Sequence, residues 1–388
     1  MKKDRIIALL CFLFLMFFSC KDKKHQTVIK SDTAKIITLS SFEQSFQDTT
    51  FFKSPKIIVL ETTDESLLAE ISRIISCDSL LFIFDDSQDQ LFVFDITGKY
   101  IQKINHKGQG PKEYNQICDF TVDSDKKQII LSADRPAKLM YYTYDCKFIK
   151  EENQPMYYPQ LVKDRNLFYF IKDSRLYKNQ VHILNTETGI KTESLEMLDI
   201  KNNLFLKGNS LTRGQNILFV RRYDNSIYEL INEDIIKKYH FDFKKHSLPE
   251  RFIKESDERI ISRESRENKY IYSMSNVFNG DRYMMFYTNV GIFIYDMLNE
   301  TLIGYENMKI TYLKFVMAPY DFDFDYYLPL ENTDKIVFFI EDPLFIKRIV
   351  ERNPDKLKQD KDYLELMDIV SKMTDDNNPI LFIYDFKD

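Results

Sequence analysis

Tryptophan is absent from this sequence, and glycine is scarce, with 9 glycines among 388 residues. Two of them, Gly108 and Gly110, lie within the stretch HKGQGPKEY at positions 106–114. A Walker-type phosphate loop is excluded there, because Pro111 follows Gly110 and removes an N–H that such a loop would use. A dinucleotide-binding turn is excluded as well, since Glu113 stands where its third glycine should be.

The same stretch predicts a structural turn. Glycine tolerates positive φ, so we expect Gly108 and Gly110 to bend the chain between two strands. Pro111 would fix the direction in which the chain leaves, and Glu113 and Tyr114 would hold the turn by hydrogen bonding or packing.

Neither sign of charge predominates. The chain has 54 Lys and Arg against 60 Asp and Glu, which gives a formal net charge of −6 and a pI near 5.6. Nucleic acids are bound through dense positive charge, and the sequence has no long basic run. We therefore expect no nucleic-acid partner.

Histidine is also rare, and the five histidines, at 25, 106, 182, 240 and 246, lack the spacing of a metal or hydrolytic site. No Gly-x-Ser-x-Gly motif supports a serine nucleophile. The aspartates of DFDFDYY (residues 321–327) begin like a calcium loop, but Tyr326 replaces the required glycine. The alternation favours a strand, and we predict neither a metal nor a cofactor.

The apolar run Ile6 to Phe18 is too short to span a bilayer comfortably, and it follows the basic residues Lys2, Lys3 and Arg5. This pattern predicts an export signal over residues 1–20. The run ends in Phe-Phe-Ser-Cys, which is similar to a bacterial lipobox.

That motif predicts lipidation of Cys20 and a tether over residues 21–35. We therefore expect the protein to be attached to a membrane through the lipid on Cys20. The alternative is an ordinary signal peptide with an incidental cysteine. We expect an outer membrane lipoprotein, with its periplasmic or cell-surface orientation left open. Cys77, Cys118 and Cys146 cannot all pair, and we expect them to be free on strands.

From residue 57 onward the sequence predicts β-structure with an internal repeat. An aromatic and aliphatic strand ends in Asp or Asn, a turn follows, and a further apolar run precedes most copies as a hairpin partner. The repeat occurs six times, with marker residues Asp95, Asp145, Asn185, Asn232, Asp296 and Asp385. Repeats of this size are typical of propeller blades.

The fold class that we predict is all-β: a six-bladed β-propeller over residues 36–388. Two helical insertions are expected, at about 247–269 and 343–374, where a Ser-x-x-Glu capping box and helical apolar spacing occur. The last repeat lacks a fourth strand. We therefore expect 57–60 to pair with 380–384 and close the ring.

The chain resembles the six-bladed β-propeller lipoproteins of Bacteroidetes, which are similar in shape to NHL-repeat propellers. The resemblance rests on four stretches that span almost the whole mature chain: Val59 to Ile74, Phe94 to Asp123, Asp224 to Phe243 and Asp376 to Lys387. Lys112 replaces the glycine more usual before Glu113. Because the role of that family is largely undefined, the resemblance implies fold and location more than activity.

Ligand-binding residues are expected at the axial mouth of the propeller, on the turns that surround it. The candidates are polar or basic turn residues: Lys107, Gln109, Arg135, Arg175, Arg221, Arg222 and Tyr223. Arginines there would suit an acidic or sugar-like ligand. The alternative is that these are solvated turn residues, since loops are normally polar. We predict a monomeric binding or scaffold module for a small molecule, glycan or protein; the alternative is a propeller lyase or hydrolase.

Overall fold

The computed structural model describes residues 34–172, 177–310, 326–340 and 377–387, with the short pieces 25–26, 323–324, 344, 347, 368–369 and 371. Its first elements are N-terminal to the predicted repeat. They are the strands β1 (His25–Gln26), β2 (Lys35–Gln47) and β3 (Lys56–Val59), and the short helix α1 (Asp48–Phe51).

In the described residues, the other strands form successive antiparallel groups of four. Group 1 contains β4 (Arg73–Cys77), β5 (Leu80–Asp85), β6 (Gln90–Asp95) and β7 (Tyr100–Ile104). Group 2 contains β8 (Gln116–Asp123), β9 (Gln128–Asp134), β10 (Lys138–Thr143) and β11 (Phe148–Asn153). Group 3 contains β12 (Gln160–Asp164), β13 (Leu167–Ile171), β14 (Asn179–Asn185) and β15 (Lys191–Glu196). Group 4 contains β16 (Leu211–Arg213), β17 (Ile217–Phe219), β18 (Ser226–Ile231) and β19 (Asp234–Asp242). Group 5 contains β20 (Met274–Asn279), β21 (Tyr283–Thr288), β22 (Gly291–Asp296) and β23 (Thr301–Lys309). The strand β24 (Asp323–Phe324) pairs with β23, and group 6 contains β25 (Leu328–Glu331), β26 (Lys335–Ile340), β27 (Ile380–Asp385) and β3.

The predicted repeat is confirmed at the level of strands, because each repeat forms the third strand of one group. Its Asp or Asn starts the following turn: Asp95 Oδ1 accepts hydrogen bonds from the backbone N–H groups of Thr97 (2.8 Å) and Lys99 (3.1 Å). Gly98 follows with a φ of +92°. Asn185 and Asp296 accept backbone N–H groups in the same way.

Apolar side chains fill the space between each pair of neighbouring groups, because successive residues of a strand point to opposite faces. In β5, Phe82 and Phe84 pack toward group 2, whereas Leu81 and Ile83 pack toward group 6. Both faces of the middle strands are therefore buried. The fourth strand lies at the outer edge, and most of β11 is exposed.

The first strands of consecutive groups contact one another in a closed ring, from β4 through β8, β12, β16, β20 and β25. β25 completes the ring by pairing in parallel with β4. The predicted N-terminal closure is confirmed, since β3 pairs antiparallel with β27, with Val59 opposite Ile380 and Ile57 opposite Phe382. Asn378, which is fully buried, bonds to the backbone of residues 61, 66 and 68 beside this pairing.

The sequence analysis assigned no strand to residues 35–47, yet β2 is the longest strand described. It pairs in parallel with β19 of group 4 and with β23 of group 5, and so joins the outer edges of these groups. Its buried side chains Ile37 and Leu39 pack into the core between the same two groups. Within the predicted tether, β1 pairs with β15.

The first helical insertion is present, but its start differs from the prediction. Ser247 does not cap a helix: 3-10 turns occupy Lys244–His246 and Glu250–Ile253, and the helix α2 begins later, at Glu258–Asn268. Its N-cap is Asp257, whose carboxylate accepts the backbone N–H of Arg259. The second predicted insertion, 343–374, lies almost entirely outside the described residues.

Candidate functional site

A cavity of about 570 Å³ lies at one end of the ring of first strands. Each of the six groups contributes at least one residue close to the start of its first strand. These residues are Ser72, Cys118, Gln160, Ser210, Met274 and Tyr326. Further lining comes from Asp86, in the turn after β5, and from Gln180, near the start of the third strand β14. The cavity is therefore the axial mouth where the sequence places a ligand.

Arg73 forms the floor of the cavity and is 1% exposed. Its Nε and Nη2 donate to both oxygens of Glu331 (2.8 and 2.7 Å), and its Nη1 donates to Asp119 Oδ2 (2.6 Å). Nη1 also contacts the backbone carbonyl oxygens of Phe120 and Leu161. One guanidinium thus ties the first strands of groups 1, 2, 3 and 6 together.

The charges in this floor cluster (Arg73, Asp119 and Glu331) are strongly coupled. Burial raises the pKa of both the Asp119 and the Glu331 carboxyl, and the Arg73 cation offsets only part of that effect. Burial also opposes charge on Arg73, but the two carboxylates outweigh it and raise the pKa of the guanidinium. The floor is polar, yet its groups are committed to one another.

Side-chain hydrogen bonds also join different groups on the cavity wall. Gln160 Oε1 accepts hydrogen bonds from Ser210 Oγ (2.8 Å) and from the backbone N–H of Leu211 (2.7 Å). Asn209 donates from Nδ2 to the carbonyl oxygen of Ser72 (3.2 Å). Since each bond fixes the plane of an amide, Gln160 Nε2 and Asn209 Oδ1 are left with defined positions in the cavity.

A rim loop, residues 201–210, joins β15 to β16 and borders the mouth. Its Gly208 has a φ of +108°, and a Cβ there would lie 2.6 Å from Ser275 Oγ. Lys207 forms an ion pair with Glu70 (3.1 Å) and lies over the ring of Tyr326. Phe205 is 74% exposed at the mouth.

The predicted site residues of group 4 lie at or behind this rim. Arg221 and Arg222 line the cavity, but Arg221 is ion-paired with Asp224 (2.8 Å) and Arg222 donates to the carbonyl oxygen of Leu204 (2.8 Å). Tyr223 donates to Asn202 Oδ1 (2.7 Å), also in the rim loop. All three hold the protein's own structure.

The other predicted ligand residues are not brought to the cavity. Lys107 pairs with Asp89 (2.5 Å), Arg135 pairs with Asp134 (3.2 Å), and Gln109 is exposed. Arg175 lies outside the described residues.

The stretch at 106–114 joins β7 to β8, but not by the predicted backbone geometry. Neither Gly108 nor Gly110 has positive φ; the residue that does is Lys112, at +66°. Both glycines instead make room for the Glu113 carboxylate, which accepts the backbone N–H of Gly110 (2.7 Å). A Cβ on Gly108 would lie 2.6 Å from Glu113 Cδ.

The far end of the turn is held by Tyr114, which is buried. Its hydroxyl donates to the carbonyl oxygen of Asp89 (2.8 Å), and its backbone exchanges two hydrogen bonds with His106 and Gly108. Pro111 follows Gly110 on the exposed outer side of the turn.

Sequence reasoning missed most of the cavity lining. The rim loop carries no repeat signal, and Arg73, Asp119 and Glu331 occur singly in apolar strands. An isolated charge in such a strand is a usable signal, since a buried charge needs a partner.

Outside the floor cluster, burial raises the pKa of three further groups that line the cavity: Asp86, Cys118 and Tyr326. Burial, then the charges of Glu70 and Asp85, raise the pKa of Asp86. Burial raises the pKa of the Cys118 thiol to about 12, so this cysteine is a neutral thiol at physiological pH. Cys77 and Cys146 are also free, as expected, but Cys146 lies in the turn between β10 and β11 and not on a strand.

Among the described residues, no cluster of His, Cys, Asp and Glu has the arrangement of a metal site. Within the same part of the chain, no helix is both long and apolar enough to cross a membrane.

Comparison with solved structures finds a protein of similar fold. A Bacteroides fragilis protein described as a "Putative exported protein" shares 18% identity with a TM-score of 0.70, covering 91% of this chain and 100% of its own. A member of the duf4221 family from Bacteroides vulgatus shares 9% identity over 87% of this chain and 98% of its own, with a TM-score of 0.48. The first likeness shows a shared fold.

Sequence comparison identifies the family. No curated protein matches the chain. The profile of a family described as "Domain of unknown function (DUF4934)" matches residues 17–385, which is nearly the whole sequence. The chain belongs to this family.

Proposed function

We propose that this protein is an exported lipoprotein whose six strand groups are the blades of one β-propeller, and that it binds a ligand in its axial mouth. The blade assignment rests on the closed ring of first strands and on the pairing of β3 with β27. Propellers leave only short, protected strand edges, and here the last group gains its outer strand from the N-terminal part of the chain.

The observation that carries the binding function is the cavity itself. Its volume of about 570 Å³ lies within the range of small-molecule sites, and all six groups contribute to its wall. Convergence of six elements on one concavity places side chains that are distant in sequence around one ligand. Arg73 closes the floor, so a ligand would enter and leave by the same mouth.

Export is supported by residues 1–20, and the B. fragilis protein that shares the fold is itself described as exported. Lipid attachment rests on the sequence Phe17 to Cys20 alone. Mass spectrometry of the native N-terminus should find an acylated Cys20. A mature chain that begins at any other residue would disprove the lipid anchor. Protease treatment of intact cells then separates the cell-surface from the periplasmic orientation.

A ligand screen with a blocked variant tests the binding function. Gln180 lines the cavity, and no hydrogen bond of its side chain is seen in the described residues, so Gln180→Trp should fill the mouth without breaking a contact. Glu187→Trp, in the exposed turn after β14, is the matched control.

Thermal shift against neutral and acidic sugars, peptides, nucleotides and organic acids should identify ligands that stabilise the wild type and the control but not Gln180→Trp. Analysis of the recovered ligand shows whether it is bound unchanged or cleaved, which separates a binding module from a lyase or hydrolase. If every ligand found stabilises all three proteins equally, the mouth is not the binding site.

A further inference from the structure

Among the described residues, four cations line the cavity. Arg222 donates to the carbonyl oxygen of Leu204 (2.8 Å). The other three are paired with carboxylates: Arg73 with Asp119 (2.6 Å), Lys207 with Glu70 (3.1 Å) and Arg221 with Asp224 (2.8 Å). An acidic ligand would have to compete with a carboxylate for each of these three. The arrangement therefore disfavours the acidic ligand that arginine-rich turns suggest from the sequence.

The polar groups that remain available are mostly uncharged and fixed in direction. Gln160 Oε1 is held by two donors, so its Nε2 hydrogens face the cavity as donors. Asn209 Nδ2 is held by the carbonyl oxygen of Ser72, so its Oδ1 faces the cavity as an acceptor. Asp86 adds a second acceptor, because its exposed carboxylate takes no hydrogen bond from another side chain in the described part of the chain.

An apolar surface completes the set. Phe205 is 74% exposed, which is unusual for a large aromatic residue. Its rim loop is held on both sides of Phe205: Arg222 donates to the carbonyl oxygen of Leu204 (2.8 Å) on the N-terminal side, and two bonds lie on the C-terminal side. Asn276 Oδ1 accepts the backbone N–H of Asn209 (2.8 Å), and Ser275 Oγ donates to the carbonyl oxygen of Lys207 (2.7 Å). An anchored loop presents the ring at the mouth in a defined position.

We infer that the mouth binds a neutral sugar unit, with Phe205 against the apolar C–H face of the ring and Gln160, Asn209 and Asp86 at its hydroxyls. A sugar hydroxyl both donates and accepts, and so matches fixed amide donors and acceptors together with a carboxylate. This inference rests on the proposed binding function and adds the class of ligand.

The residue test uses two equally exposed apolar side chains. Phe205 and Leu298 are each 74% exposed, but Leu298 lies in the turn after β22 and does not line the cavity. The probes are cellobiose, xylobiose, maltose, mannobiose and diacetylchitobiose, with digalacturonate as the acidic counterpart, titrated into the purified protein by calorimetry.

At least one neutral disaccharide should bind. Phe205→Ala should weaken it about tenfold, which corresponds to about 1.4 kcal/mol, while Leu298→Ala binds as the wild type does. Asp86→Asn should also weaken binding without lowering the melting temperature, because burial and the charges of Glu70 and Asp85 already disfavour the charged carboxylate. Raising sodium chloride from about 0.05 M to about 0.5 M should change the affinity less than about twofold, because no net ligand charge is being screened.

The two proposals fail in different ways. If digalacturonate or another charged ligand binds in a manner blocked by Gln180→Trp while every neutral sugar fails, the mouth is a binding site but the sugar inference is wrong. Equal loss of binding in Phe205→Ala and Leu298→Ala would also overturn the sugar inference. If the neutral sugar binds Gln180→Trp as well as the wild type, its site lies elsewhere and both proposals fail.

Discussion

At the scale of single residues, the floor cluster places one cation between two buried carboxylates. Arg73 satisfies both, so its removal would leave two acids buried without compensation. Breaking a buried ion pair by removing one partner typically costs about 3–5 kcal/mol. Glu331→Gln, in contrast, leaves one cation facing one anion and keeps a side chain of the same shape.

The first prediction concerns pH. Burial raises the pKa of Glu331 above its ordinary value of 4.5. Between pH 4.5 and the raised pKa, this carboxyl therefore holds more of its proton in the folded protein than in the unfolded chain. This carboxyl therefore contributes stability at low pH that is lost as the pH rises through the raised pKa. Denaturant unfolding of wild type and Glu331→Gln across this range should show the wild type losing stability relative to the variant as pH rises.

Arg73→Met provides the contrast at neutral pH, and it should lower the free energy of unfolding by about 3–5 kcal/mol. Subtracting the pH profile of Glu331→Gln from that of the wild type removes the contributions of the other carboxyls. These include Asp95 and Asp296, whose lowered pKa values make stability change with pH in the opposite direction. A constant difference between wild type and Glu331→Gln at every pH would show that Glu331 does not titrate in this way.

The second prediction concerns Gly108. A side chain at position 108 would collide with the carboxylate of Glu113. That carboxylate would have to move and would lose its hydrogen bond from the backbone N–H of Gly110, which lowers the free energy of unfolding. Gly108→Ala should therefore lower stability by about 1 kcal/mol in the wild type and much less in Glu113→Ala. A double-mutant cycle by denaturant unfolding measures this coupling; equal costs in both backgrounds would point to backbone strain instead.

At the scale of elements, local signals were enough for the hairpins. The sequence LFVFD has alternating side chains and ends in a turn residue, so its strand and its turn could be predicted together. The segment KIITLSSFEQSFQ (β2) could not, because its partners are the outer strands of two groups and no local pattern encodes a parallel pairing. The floor cluster was hidden for the same reason, since Arg73 and Glu331 are separated by 258 positions.

The rim loop gives the third prediction, with two glycines of positive φ as a matched pair. A Cβ on Gly208 would meet Ser275 and Asn276, whereas a Cβ on Gly189 would meet nothing within 4 Å. Gly189→Ala should cost only the backbone strain, about 1 kcal/mol. Gly208→Ala should cost more, and it should also weaken ligand binding because the loop that carries Phe205 and Lys207 must shift.

Melting temperature and ligand titration check both variants. Loss of stability in Gly208→Ala with unchanged ligand affinity would mean that the position of the rim loop does not matter to binding.

At the scale of the whole molecule, the stability of the ring depends on the strands that close it. Group 6 takes its outer strand, β3, from the N-terminal side of the chain, and Asn378 fastens the adjoining segment by accepting the backbone N–H of Leu68 (2.8 Å). The closure was predictable, because the last repeat lacks an outer strand and 57–60 has no hairpin partner of its own. The role of β2 adds a second N-terminal contribution, since it covers the edges of β19 and β23.

The last prediction follows from these two N-terminal strands. Deleting residues 21–34 removes only β1 among the described strands and should leave the melting temperature unchanged. Deleting residues 21–61 also removes β2 and β3, exposes the edges of β19, β23 and β27, and should destabilise all six groups in one cooperative transition, because each group is packed against two neighbours. Calorimetry of both deletions decides the matter: a 62–388 fragment that melts like the full chain would refute closure by β3.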